Sequence, residues 1–114
     1  MIKAYVAGAY SGRTREETEA NIQRAAEVAK VLWSWGFAVF CPHKNSAHFD
    51  DVAAYDVFIR GDLAWLQHAD ILVLTPGYEN SGGTKQEIEF CIDNGIPVYL
   101  WDTHKQAIRE LLEG

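Results

Sequence analysis

The apolar positions of the chain fall into two alternating periods. Short apolar runs ending in glycine, proline or polar clusters read as strands; longer stretches with apolar residues three and four apart read as helices. "IKAYVAG" (Ile2–Gly8) is the first strand and "AYSGRT" a loop. From Arg15 to Trp35, residues Ala20, Ile22, Ala25, Ala26, Val28, Ala29 and Leu32 form one apolar stripe, with charged residues mostly off it. Thr14 is placed to cap this helix and Gly36 to stop it. "FAVFCP" (Phe37–Pro42) is a second strand, followed by the polar loop "HKNSAHFDD". Val52–His68 reads as a helix that Gly61 breaks or kinks. "DILVLT" (Asp70–Thr75) is apolar on both faces, as a covered parallel strand is. A helix over Thr84–Asn94, a strand over Ile96–Trp101 and a closing helix in "HKQAIRELLEG" complete the pattern.

Strands alternating with helices predict an α/β fold of three layers, with a parallel sheet and right-handed crossovers. Four strands, or five at most, in this length imply a flavodoxin-like, Rossmann-like order 2-1-3-4(-5). Such sheets hold ligands beyond the carboxyl ends of their strands, at the switch point between strands one and three. The loops at that edge are "GAYSGRT", "PHKNSAHFD", "TPGYENSGGT" and "DTHK".

The 114 residues suit one domain over 1–114, and 48% hydrophobic content supplies a core. A formal charge of −6 argues against a nucleic-acid polymer as partner, although local dipoles can still attract a small anion. No apolar run reaches the ~18 residues of a membrane span. Met1 leads into a strand rather than a signal peptide, and Cys41 and Cys91 read as buried free thiols. A cytoplasmic protein is expected.

Candidate chemistry lies in two glycine-bearing loops. "GAYSGR" lets backbone approach a ligand, but it matches neither the dinucleotide fingerprint nor the Walker pattern. "ENSGGTKQE" brings Ser81, Gly82 and Gly83 to a helix amino end, a plausible anion cradle. Within it, Thr84-x-x-Glu87 also fits a capping box, so Glu87 either caps a helix or faces the ligand. Asp62 is a second carboxylate candidate, whereas Asp70 opens its strand at the wrong edge and reads as structural. His43 follows strand two at the active edge and reads as a ligand contact. His43, His48, Asp50 and Asp51 have no metal-type spacing, so neither metal nor organic cofactor is expected. His68 and His104 read as surface residues. The tryptophans read as core or interface, and one of Tyr5, Tyr10 and Tyr78 as a stacking surface for a ligand ring.

"YVAGAYSGR" (Tyr5–Arg13), "DLAWLQHADILVL" (Asp62–Leu74) and "SGGTKQEIEFC" (Ser81–Cys91), in that order and spacing, resemble the nucleoside 2-deoxyribosyltransferase superfamily, including its 5′-nucleotide N-glycosidase branch and small phage-associated members. The resemblance covers nearly the whole chain. It implies Glu87 as nucleophile, in the first turn of its helix, and Asp62 as its neighbour. It also implies substrate contacts from Gly8, Tyr10, Ser11, Gly12 and Arg13. Ser81 occupies the place where the transferase branch tends to carry an aspartate for the 5′-hydroxyl and the nucleotide-hydrolysing branch a serine for the 5′-phosphate. That tilts the expectation toward a phosphorylated substrate, since a carboxylate there would repel phosphate. Two departures weigh against transfer more than against N-glycosidic chemistry. Glu87-Ile88-Glu89 stands where the family often has Glu-Leu-Gly, and the sequence stops at Gly114 without the tail by which transferases complete a neighbour's site.

The expected activity is cleavage of the N-glycosidic bond of a (2′-deoxy)nucleoside or its 5′-monophosphate, as a hydrolase or transferase, by a homodimer or larger homo-oligomer. Rival readings from other classes are a nucleotide sensor that binds without cleaving and a flavin-bearing electron carrier.

Overall fold

The computed structural model describes residues 1–113. Four strands form one parallel sheet in the order β2-β1-β3-β4. They are β1 (Lys3–Ala7), β2 (Ala38–Phe40), β3 (Ile71–Leu74) and β4 (Val98–Leu100). The helices are α1 (Arg15–Trp35), α2 (Pro42–Asn45), α3 (Tyr55–Leu66), α4 (Gly82–Asn94) and α5 (Trp101–Glu110), with a 3₁₀ turn at Tyr78–Asn80.

The pleat sorts side chains to the two faces of the sheet. Ala4 and Val6 of β1 and Ile71 and Val73 of β3 pack with Ala25, Val28 and Leu32 of α1 and Ile108 of α5. Tyr5 and Ala7, with Leu72 and Leu74, turn to the other face and meet Leu66 of α3 and Cys91 of α4. The three-layer α/β expectation and the order 2-1-3-4 are therefore correct. Register pairs Ala4 with Ile71 and Ala7 with Leu74, so β1 and β3 end level and their following loops open side by side.

Helix α1 runs over the span that the periodicity predicts. Thr14 accepts from the Glu17 amide at 3.1 Å, and Gly36, at φ 107°, returns its amide to the Leu32 and Trp33 carbonyls. Glu17 reaches back to the Arg13 amide at 2.6 Å, so a box-like cap forms here. It does not form at Thr84–Glu87. The Ser81 hydroxyl caps α4 instead, accepting from the Thr84 amide at 3.1 Å. The helix thus begins at Gly82, and Glu87 lies in its second turn, not its first.

Other boundaries move for local reasons. Strand two stops before Pro42, which lacks an amide and begins α2 inside the expected loop. Gly61 neither breaks nor ends α3. Strand four gives way at Trp101 to α5, where His104 leaves helical geometry and its Nδ1 accepts from the Leu100 amide. His104 is therefore half-buried and structural rather than a free surface histidine.

Cys91 is buried and Cys41 partly so, both as free thiols. Trp35 packs against Trp101 with centroids 5.5 Å apart, whereas Trp33 and Trp65 are largely exposed. Among the described residues, no helix is long and apolar enough to cross a membrane.

Candidate active site

A cavity of about 350 Å³ opens at the carboxyl ends of β1 and β3. The loop after β1 gives it Gly8, Tyr10 and Ser11; α2 gives Pro42 and His43; α3 gives Tyr55, Phe58, Ile59 and Asp62; the start of α4 gives Ser81, Gly82, Gly83, Thr84 and Glu87. Each of these elements meets the sheet at the switch point, where adjacent connections leave toward opposite faces.

Glu87 is 7% exposed and forms part of the cavity wall. Its Oε2 accepts a hydrogen bond of 2.5 Å from the Tyr5 hydroxyl, which rises from the middle of β1. Burial pushes the Glu87 carboxyl up to about 7; the Tyr5 hydrogen bond pulls it down, and the charge of Asp62 adds to the rise. Asp62 is half-buried one helix away, and burial lifts it to about 6. Two carboxyl groups thus share one cavity with affinities for protons near neutrality. That is the range in which one carboxyl can give a proton while another acts as base or nucleophile. The Tyr5 phenol is held well above its usual range by burial and by Glu87, so it remains a donor.

Glycines shape the floor. A Cβ on Gly8 would lie 1.8 Å from Thr75 Oγ1, so only glycine lets the β1 loop pass the end of β3. A Cβ on Gly83 would come within 3.0 Å of Ile59 Cδ1, which brings α4 close to α3. Tyr10 ties two loops together: its oxygen accepts from the His48 amide at 2.8 Å and its hydroxyl lies 3.4 Å from Asp50 Oδ1. His43 is buried beneath them, its Nε2 2.9 Å from the Ala9 carbonyl. Burial lowers its pKa against the pull of the Ala9 and Gly8 carbonyls, so the ring is neutral at pH 7.

Nine of the twelve sequence-derived site residues line this cavity: Glu87, Asp62, Gly8, Tyr10, Ser11, His43, Ser81, Gly82 and Gly83. Three do not. Tyr5 is 1% exposed beneath Glu87 and packs on Phe40 at 5.5 Å, so it has no face for a ligand ring. Gly12 and Arg13 belong to the amino-terminal cap of α1. The Gly12 amide binds Thr18 Oγ1, a Cβ there would strike Glu17, and Arg13 is exposed. Tyr55, Phe58 and Ile59 were missed, although the spacing 55-58-59-62 sets them on the helix face that carries Asp62. Asp50, Asn80 and Thr84 also line the wall without a local signal. Among the described residues, no three His, Cys, Asp or Glu side chains are grouped to hold a metal ion.

Fold and site together define an α/β protein of flavodoxin-like order with a paired-carboxylate cleft at its switch point. The model of the family described as "Domain of unknown function (DUF4406)" matches residues 2–100, and the chain belongs to that family. A search of curated proteins gave no match. Among solved structures, the 2-deoxyribosyltransferase of Bacillus psychrosaccharolyticus, described as a biocatalyst for the synthesis of antiviral and antitumoral nucleosides, superposes with a TM-score of 0.66. The two are 22% identical over 86% of this chain and 70% of that one, a likeness of fold.

Proposed function

We propose that the protein cleaves the N-glycosidic bond of a nucleoside or nucleoside 5′-monophosphate, with Glu87 as nucleophile and Asp62 as the proton donor to the departing base. One observation carries the reading: Glu87, nearly buried and gripped on one oxygen by Tyr5, lines the same cavity as Asp62. A carboxylate held by a single oxygen leaves the other free to attack. The fold shared with a 2-deoxyribosyltransferase supports the choice of substrate class.

In the first step the free Glu87 oxygen bonds to C1′ as the C1′–N bond breaks. The bonding pair passes to the base nitrogen, which takes the proton of Asp62. The transition state carries positive charge on the sugar, which an ionised Glu87 stabilises. In the second step water attacks C1′ from the vacated side, Asp62 takes its proton, and Glu87 leaves as a carboxylate. A second base in place of water makes the same enzyme a transferase. The Ser81 hydroxyl and the Gly82 and Gly83 amides hold the 5′ end of the sugar, which fixes C1′ against Glu87.

The test is incubation with a panel of nucleosides and 5′-monophosphates, followed by chromatography for free base. Release by the wild type and none by Glu87→Gln is the expected result. Release at the wild-type rate by the variant overturns the assignment.

A further inference from the structure

Of the asparagines in the chain, Asn21, Asn45, Asn80 and Asn94, the last alone precedes a glycine. A glycine amide, with no Cβ beside it, is the backbone nitrogen best able to reach the carbonyl carbon of the side chain before it. The fold sets this pair at the end of α4, where Asn94 is the last helical residue and Gly95, at φ 70°, the cap. Two contacts hold the pair away from reaction. Asn94 Nδ2 donates to the Phe90 carbonyl at 2.8 Å, and the Gly95 amide donates to the Cys91 carbonyl. The turn that makes these contacts is weakly anchored. Cys91 is its last buried residue; Ile92 is 70% exposed, and Asp93, Asn94 and Gly95 are exposed. Nothing lies within 4 Å of where a Gly95 Cβ would stand. Asp93 puts a negative charge at the negative pole of the helix, and no basic residue in the last turn offsets it. Such an end opens before the body of the helix does.

We propose that Asn94 is a site of spontaneous deamidation, gated by opening of the last turn of α4. In the open turn the Gly95 nitrogen bonds to Asn94 Cγ and gives up its proton. The Cγ–Nδ2 bond breaks, and Nδ2 leaves with that proton as ammonia. Water then adds to one of the two carbonyls of the five-membered imide and breaks its bond to the Gly95 nitrogen, which regains a proton. Opening at Cγ leaves aspartate. Opening at the backbone carbonyl leaves isoaspartate, whose chain runs through the side chain and is one methylene longer. Either product sets a second carboxylate beside Asp93 at the negative pole. The longer backbone also displaces the Gly95 and Ile96 amides, which share the Cys91 carbonyl, the latter at 2.9 Å. Conversion therefore loosens the turn that resists it, on the helix that carries Glu87.

The test ages the wild type and Asp93→Lys at pH 8.5, folded and in urea, and follows the tryptic peptide Gln86–Lys105, in which Asn94 is the sole asparagine, by mass spectrometry. The folded wild type is expected to convert there about tenfold to a hundredfold more slowly than the unfolded chain, and faster than at Asn21, Asn45 or Asn80. Asp93→Lys, which complements the helix pole, should slow folded conversion about threefold or more relative to its own unfolded control. Asn94→Gln should end the mass gain, and hydrogen exchange in aged wild type should quicken at Gly95 and Ile96. Folded conversion as fast as in urea, or more than about a thousandfold slower, overturns the proposal. Indifference to Asp93→Lys, or a mass gain that survives Asn94→Gln, overturns it as well.

Discussion

The hydroxyl of Tyr5 donates to Glu87 Oε2 at 2.5 Å across 82 positions of sequence, joining the centre of the sheet to the second turn of α4. The contact lowers the proton affinity of a carboxyl that burial raises. Removing the hydroxyl with Tyr5→Phe therefore raises the proton affinity of Glu87 and depletes its ionised form at low pH. Activity should fall about tenfold or more at pH 6 and less at pH 9, measured as kcat/KM for base release.

Glu87→Gln keeps an oxygen for Tyr5 and cannot attack C1′, so turnover should drop by at least about 10³-fold. Its stability should behave differently. Burial lifts the carboxyl from 4.5 to about 7, so the folded chain binds this proton more tightly than the unfolded chain. The associated stability is full below pH 4.5, declines as pH rises toward 7 and is lost above it. Glutamine has no such proton. Denaturant titrations should show wild-type stability falling across that window, by about 3 kcal/mol at most, and a flatter curve for the variant.

The two carboxyls set a bell-shaped rate profile. In the proposed mechanism Glu87 must lose its proton and Asp62 must keep one; with the higher value on Glu87, the profile rises to a limb near 6 and falls beyond a limb near 7, both belonging to the pair. The higher proton affinity lies on Glu87, the proposed nucleophile, so the productive form is a minority one. Asp62→Asn should abolish the falling limb and leave a single rising limb set by Glu87 alone, whose proton affinity is then lower than in the wild type because the charge of Asp62 is gone. Its maximal rate should fall about 10²-fold or more, since the base then leaves without a proton donor.

Gly8→Ala should destabilise the protein by about 2 kcal/mol or more, because its methyl would lie 1.8 Å from Thr75 Oγ1. Pairing it with Thr75→Ala removes the struck atom and should recover part of the loss. Thermal melts of the two single variants and the double variant measure that coupling directly.

Ser81→Ala removes the hydroxyl that caps α4 and should cost about 1 kcal/mol in chemical denaturation. Ser81→Asp retains a capping oxygen and should stay near wild-type stability. Its added charge should depress binding of monophosphates relative to nucleosides.

The legible parts of this fold are those with local causes. Helix α1 could be read to the residue because Thr14, an apolar stripe and Gly36 mark its start, face and end. The sheet order followed from apolar runs and the short length of the chain. The α4 boundary was ambiguous because Ser81 and Thr84 are both capping residues, three positions apart, and only the Ser81 hydrogen bond decides between them. Helix α2 escaped notice because four residues carry no periodicity. Glu87 and Glu89 look alike on a helical wheel; packing separates them, burying the first and leaving the second exposed. The role of Tyr5 had no local signal, since its partner lies on another element. Arg13 was implied as a substrate contact by the family resemblance, but its backbone belongs to the cap of α1 and it does not line the cavity.

Cys91 lies within the electric field of Glu87, and burial together with that charge raises its thiol to about 11. A mercaptan so starved of thiolate is sluggish toward disulfide reagents while the chain stays folded. Its labelling rate would thus clock how often α4 peels from the sheet, a built-in stopwatch for opening of the cavity wall.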